Sequence, residues 1–136
     1  MNVPKLVESL IAHEGMKLVA YKDHLGNDTL GVGHLLSRPI SERAAKVILD
    51  DDIADCIEDL DKSGHDWRAH SDARQNVLVE MAFNLGIARL NKFVKMWDAL
   101  KARDYQSASD EMIASSWRVQ VGKRAIALAQ VMREGV

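Results

Sequence analysis

Val3, Leu6, Val7, Leu10 and Ile11 return every three or four residues, the spacing of one apolar helix face. Asn2 or Val3 starts this helix and Gly15 stops it. Residues 17–23 and 29–35 then read as two short strands joined by a Gly26-Asn27-Asp28 turn. In a strand of period two, Gly31 and Gly33 share the side of Thr29, and their missing side chains let a sugar or another backbone approach. From Ser41 the period lengthens again. Ala45, Ile48, Leu49, Ile53, Cys56, Ile57 and Leu60 make one stripe, which ends at Asp61-Lys62-Ser63-Gly64. Ser71 is the cap expected for a second strong helix, with Val77, Leu78, Met81, Ala82 and Leu85 inward before Gly86. Shorter helices are expected around 91–102, 105–115 and 121–133. The pattern predicts an α+β fold, mostly α, as a single domain spanning 1–136. A small two-stranded lobe (about 15–40) stands beside a helical lobe (62–136 plus the N-terminal helix), joined by the helix at about 41–61.

The chemistry that stands out lies in the small lobe. Within HEGMKLVAYKDHLGNDTLGVGH, Glu14 ends a helix, Asp23 ends a strand and Thr29 opens the next one. Two carboxylates and a hydroxyl around one volume suit acid-assisted hydrolysis of a glycosidic bond. At a helix C-terminus the partial negative charge of free carbonyls disfavours the ionised form of Glu14, which suits an acid. Asp23, in polar surroundings, is expected to stay ionised. Read singly, each has an ordinary role: a surface Glu before a capping glycine, a turn-capping Asp, a β-branched strand residue.

Together these residues resemble the phage lysozymes of the T-even endolysin type, muramidases of the glycoside hydrolases. Glu14-Gly15, Tyr21-Lys22-Asp23, Gly26, Thr29, Gly31, Gly33 and His34 match the family's frame, in which Glu, Asp and Thr recur at this spacing. Phe83-Asn84-Leu85-Gly86, Ser116-Trp117 with Gln120, Lys123-Arg124 and Arg133-Glu134-Gly135 resemble its later segments. The resemblance implies a lysozyme-like fold with an active-site cleft between the lobes, and hydrolysis of the β-1,4 bond between N-acetylmuramic acid and N-acetylglucosamine in peptidoglycan. It gives Glu14 the role of general acid, and has Asp23 and Thr29 hold the attacking water with inversion at the anomeric carbon. It makes Leu35, Phe83 and Asn84 candidate sugar contacts, although the family has a glutamine where Asn84 stands. It places Arg124 near the catalytic glutamate, pairs His34 with an acid at the position of Asp52, and makes Tyr21 a packing anchor. The connection after His34 is shorter than in the T-even protein, so the small lobe is expected to be trimmed.

Charge modifies this picture in one respect. The chain's formal net charge is −2, where many phage lysozymes are strongly basic. Eight acids between Ser41 and Asp61 face only Arg43 and Lys46, while Arg118, Lys123, Arg124 and Arg133 form a basic run near the C-terminus. This mixed balance argues against a nucleic-acid partner. A single cysteine, Cys56, forms no intramolecular disulfide. The five histidines lack a metal-ligand spacing, so neither metal nor cofactor is expected. No stretch approaches the ~18 apolar residues of a membrane span, and Lys5, Glu8, His13 and Glu14 interrupt any signal-peptide core. The expectation is a monomer acting on peptidoglycan. The family resemblance implies that it waits in the host cytoplasm until holin-dependent release.

Three rival functions remain at this level: a catalytically inactive wall-binding module, a lytic transglycosylase and a helical interaction protein. A binder has no need of all three of Glu14, Asp23 and Thr29, and a transglycosylase needs the acid but not the water-holding pair.

Overall fold

The computed structural model describes all 136 residues. The chain forms two compact units, Met1–Ala45 and Lys46–Val136. The first contains α1 (Val3–Glu14), β1 (Lys17–Lys22), β2 (Asp28–Gly31) and β3 (His34–Leu35). Asn2 caps α1 by accepting the Lys5 N–H at 3.0 Å, and Gly15 ends it at φ 77°. Those two ends fall where the sequence put them, because each is decided by local chemistry.

The sheet differs from expectation: it has three antiparallel strands in the order β1-β2-β3, not two. Residues 29–35 are not one strand. Thr29 pairs with Leu35 and Leu30 with His34, so residues 31–33 form a tight turn. Gly31 and Gly33 hold φ values of 70° and 68°, which reverse the chain where side-chain-bearing residues rarely sit. They therefore bend the backbone: Gly31 closes β2 two residues after Thr29, while Gly33 lies in the turn beyond it, so the two do not line one strand face. A bulge shifts the β1–β2 register between Lys17 and Tyr21, after which Tyr21 stands opposite Thr29.

Thr29 is the only buried side chain of this unit; α1 buries none, and its Val3, Leu6, Val7 and Leu10 are exposed. A unit of this size has too little chain to build an apolar core of its own. Here the tertiary structure departs from the stripe that the sequence displays.

The second unit holds the core. α2 (Glu42–Lys62) begins in the first unit, and Ser41 accepts the Ala44 N–H at 3.1 Å. Burial grows along α2: Ile48 and Leu49 are exposed, Cys56 and Ile57 are partly buried, and Leu60 is fully buried. After a 3-10 turn at Trp67–Ala69 come α3 (Asp72–Leu85), α4 (Ile87–Asn91), α5 (Val94–Lys101), α6 (Tyr105–Ala114), α7 (Ser116–Val121) and α8 (Lys123–Glu134). Ser71 caps α3, accepting the Arg74 N–H at 3.4 Å. α4 and α7 lie outside the expected helices. Each is a turn or two long and is fixed by one buried residue, Leu90 or Trp117.

Leu78, Met81, Leu90, Met96, Leu100, Met112, Trp117 and Met132 fill the middle of this core. Buried indole N–H groups require acceptors, and all three find one: Trp67 on Asp61 Oδ1 (3.0 Å), Trp97 on Leu90 O (3.0 Å) and Trp117 on Asn84 Oδ1 (2.8 Å). Arg74 secures the end of α8. Its Nε donates to Met132 O (2.7 Å), its Nη2 to Arg133 O (3.0 Å), and its guanidinium lies 3.4 Å from the Tyr105 ring centroid. No helix is long and apolar enough to cross a membrane.

Before α3, His70 is buried and shares a 3.0 Å hydrogen bond with Tyr105 Oη. Burial, and then the Arg103 charge, hold its pKa below 6.5, with Asp66 opposing and Arg74 adding to the depression. The unfolded chain therefore binds this proton more readily than the folded one. The stabilisation is complete above pH 6.5 and disappears as pH falls through the folded-state value. NMR titration of His70 should give a midpoint below 6.5, and His70→Gln should flatten the loss of urea resistance on acidification. A midpoint at or above 6.5 would contradict this account.

Candidate active site

All three proposed catalytic residues lie in the first unit. Glu14 is the last residue of α1, Asp23 follows β1 directly, and Thr29 is in β2. The turn after β1 is made by Asp23 itself. Its Oδ1 accepts two backbone N–H groups, from Leu25 at 2.9 Å and Asn27 at 2.8 Å, and its Oδ2 takes the Asn27 side-chain amide at 3.3 Å. The Asp23 N–H in turn donates to Asn27 O at 2.9 Å. Gly26, at φ 81°, permits the reversal.

The same Asn27 carbonyl accepts the Thr29 hydroxyl at 2.8 Å. Asn27 therefore bonds to both members of the proposed water-holding pair. Sequence reasoning placed it only as a turn residue. The available signal was a Gly26-Asn27 step three and four residues after Asp23, a spacing at which an Asp side chain can close a turn. Thr29 is 2% exposed. Its proton is committed to Asn27, so towards a water the hydroxyl has only acceptor capacity left.

Glu14 meets the second turn. A Cβ built on Gly33 would stand 3.3 Å from Glu14 Oε2 and 3.6 Å from its Cδ, so the absent side chain leaves room for the carboxylate. The atoms that approach Gly33 are those of the Glu14 side chain, where the sequence suggested a sugar or another backbone. Tyr21 and Leu35 flank Thr29 in register across the sheet, both partly buried. His34 Nε2 is enclosed and has no hydrogen-bond partner. Lys22 and Asp28 form an exposed pair at 2.7 Å beside the turn.

The remaining candidates are in the second unit. Phe83 is 45% exposed and lines a cavity of about 350 Å³ with Leu49, Ile53, Val79 and Arg124. Asn84 is engaged structurally, since its Oδ1 holds the Trp117 indole. Arg124 Nη2 meets Glu80 Oε2 at 3.3 Å, a pair open to solvent. The implied pairings of Arg124 with Glu14 and of His34 with Asp52 join residues of different units and remain expectations. The protein gathers no group of three or more His, Cys, Asp or Glu suited to a metal ion.

The family profile described as phage lysozyme matches residues 11–133. Among curated relatives, the pre-baseplate central spike protein Gp5 of Enterobacteria phage T4 is 28% identical over 159 aligned residues. That match takes in 96% of this chain but only 28% of the spike protein. The probable T4-type lysozyme 2 of Dictyostelium discoideum is 24% identical, with 98% of this chain and 96% of the relative covered. The probable T4-type lysozyme 1 of the same organism is 22% identical at the same coverage.

The Asp23 environment gives a direct test. The Asn27 backbone hydrogen bond lowers its pKa below 3.8, with the Asn27 side chain and Leu25 N–H acting in the same direction against desolvation. Its stabilising effect on the turn is thus present above pH 3.8 and disappears as pH falls through the lowered value. Carboxyl carbon NMR should place the Asp23 midpoint below 3.8, and Asn27→Ala should move it upward. A midpoint at or above 3.8 in the unaltered protein would show that the turn does not hold the carboxylate as described.

Proposed function

The chain belongs to the phage lysozyme family, and on that premise we propose that it is a muramidase. Its substrate in this reading is peptidoglycan, and the bond cut is the β-1,4 link between N-acetylmuramic acid and N-acetylglucosamine. The observation that carries the proposal is the Asn27 tie. It bonds to Asp23 and Thr29 in the same unit in which Glu14 rests on Gly33.

Glu14 delivers a proton to the leaving oxygen as positive charge grows on the sugar. Asp23, held ionised by the turn, accepts a proton from water and directs it at the anomeric carbon. Two N–H groups already occupy Oδ1, while Oδ2 takes only the longer Asn27 amide bond and is the more available acceptor for a proton of water. With a water between Asp23 and the anomeric carbon, this reading is a single displacement with inversion. Thr29 sets the turn and offers its remaining acceptor capacity. Phe83 is the proposed sugar contact; Asn84 contributes through its amide nitrogen, and Leu35 through its partly buried side chain beside Thr29. The reaction requires no cofactor. We place the protein in host lysis as a monomer, held in the host cytoplasm until release. The likeness to a phage spike protein makes a use in genome entry the alternative setting.

A second reading, an inactive peptidoglycan-binding module, is favoured by one observation: Thr29 is enclosed rather than open. Analysis of product ends from purified peptidoglycan separates the readings. Reducing muramic acid ends support the muramidase, anhydro ends indicate a transglycosylase, and no product indicates the binding module. Glu14→Gln preserves size while removing the proton, and should lower turnover by ~10²–10⁴-fold with folding intact. Near-normal turnover would remove Glu14 from the role of acid.

A further inference from the structure

The turn after β1 takes hydrogen bonds of two kinds from Asn27. Those of the first kind are backbone bonds. The Asn27 N–H donates to Asp23 Oδ1 at 2.8 Å, and the Asn27 carbonyl accepts the Asp23 N–H at 2.9 Å and the Thr29 hydroxyl at 2.8 Å. Any residue except proline offers these groups. The second kind belongs to the side chain alone: its amide nitrogen donates to Asp23 Oδ2 at 3.3 Å.

Turns often select asparagine because it tolerates left-handed backbone. That reason is absent at this position: Arg103 is the only residue other than glycine with a positive φ, and Gly26 carries the reversal. Packing supplies no reason either, because Asn27 is exposed. What sets asparagine apart here is the amide on Oδ2. Oδ1 is occupied by the Leu25 and Asn27 N–H groups, so Oδ2 is the oxygen open to a proton from water. The carboxyl torsion of an aspartate is broad, and a donor on each oxygen narrows it more than donors on one.

We propose that the Asn27 side-chain amide is a positioning group for the hydrolysis, holding the plane of the Asp23 carboxylate so that Oδ2 faces the attacking water. The inference rests on the muramidase reading and adds to it a residue that acts through Asp23 without touching the sugar. The electrostatics run in the same direction. The Asn27 N–H does most to lower the Asp23 pKa and desolvation opposes it; the Asn27 amide comes next, ahead of the Leu25 N–H and the His24 charge. Lys22 and Asp28 form their own pair at 2.7 Å beside the turn. Loss of the amide therefore does two things to Oδ2. Its orientation loosens, which lowers the rate where Asp23 is ionised, and its affinity for a proton rises, which moves the acid limb of the rate profile to higher pH.

The test measures kcat and KM across pH for the whole protein, Asn27→Ala and Asn27→Asp, on a soluble N-acetylmuramic acid–N-acetylglucosamine oligosaccharide. Asn27→Ala keeps every backbone bond of the turn. It should lower kcat about three- to tenfold, the scale of one exposed hydrogen bond, leave KM unchanged and move the acid limb of kcat upward. Asn27→Asp puts a second carboxylate beside Oδ2, and neighbouring carboxylates resist joint ionisation, so it should move the limb further. A group that merely steadied the turn would lower kcat alike at every pH and leave the limb in place. Carboxyl carbon NMR of Asp23 without substrate should rank the three proteins in the same order, including a variant too slow to assay. An acid limb that stays put in both variants, or a loss confined to KM, would overturn the proposal. Cleavage by the unaltered protein with an unmoved limb sinks this inference alone; no cleavage by the unaltered protein sinks the muramidase reading and this inference with it.

Discussion

Two backbone N–H groups, from Leu25 and Asn27, converge on one oxygen of Asp23, while the carbonyl of the same Asn27 takes the Asp23 N–H and the Thr29 hydroxyl. This closure replaces an apolar core in the first unit, where Thr29 alone is buried. With so little apolar burial, the geometry of β1 and β2 depends on directional hydrogen bonds to an ionised carboxylate. Charge-assisted bonds of this kind are the stronger sort. The site and the scaffold are thus the same atoms. Protonating Asp23 removes the proposed base and loosens the turn that holds it.

The second turn works by a different principle. Gly31 and Gly33 reverse the chain through left-handed backbone, and Gly33 leaves space beside the Glu14 carboxylate. The proposed acid is therefore located by an absence of side chain, and the proposed base by a set of hydrogen bonds. The second unit has the ordinary architecture of a helical core, with its buried indoles satisfied and α8 fastened to α3 through Arg74.

Legibility in the sequence followed the range of the forces involved. Asn2, Gly15, Ser71 and Gly86 mark helix ends by local hydrogen bonding and backbone freedom, and they mark them in the structure too. The Glu14, Asp23 and Thr29 spacing was visible, and the family profile that matches residues 11–133 supports the family resemblance drawn from it. The 29–35 segment was read as one strand because glycine has no side chain to signal whether it extends or reverses; only its φ decides. α4 and α7 escaped notice because helices this short owe their existence to Leu90 and Trp117 in the core, not to periodicity. Asn84 with Trp117 and Glu80 with Arg124 are partners far apart in the chain, and no local pattern announces them.

The central claim is that Asp23 directs a water and does not itself attack the sugar. Proton NMR of the first product released from a soluble N-acetylmuramic acid–N-acetylglucosamine oligosaccharide tests it most directly. A single displacement by water on a β-linked substrate yields the α anomer first, before mutarotation mixes the two. An initial β anomer, or a glycosyl ester trapped on Asp23, would contradict the account.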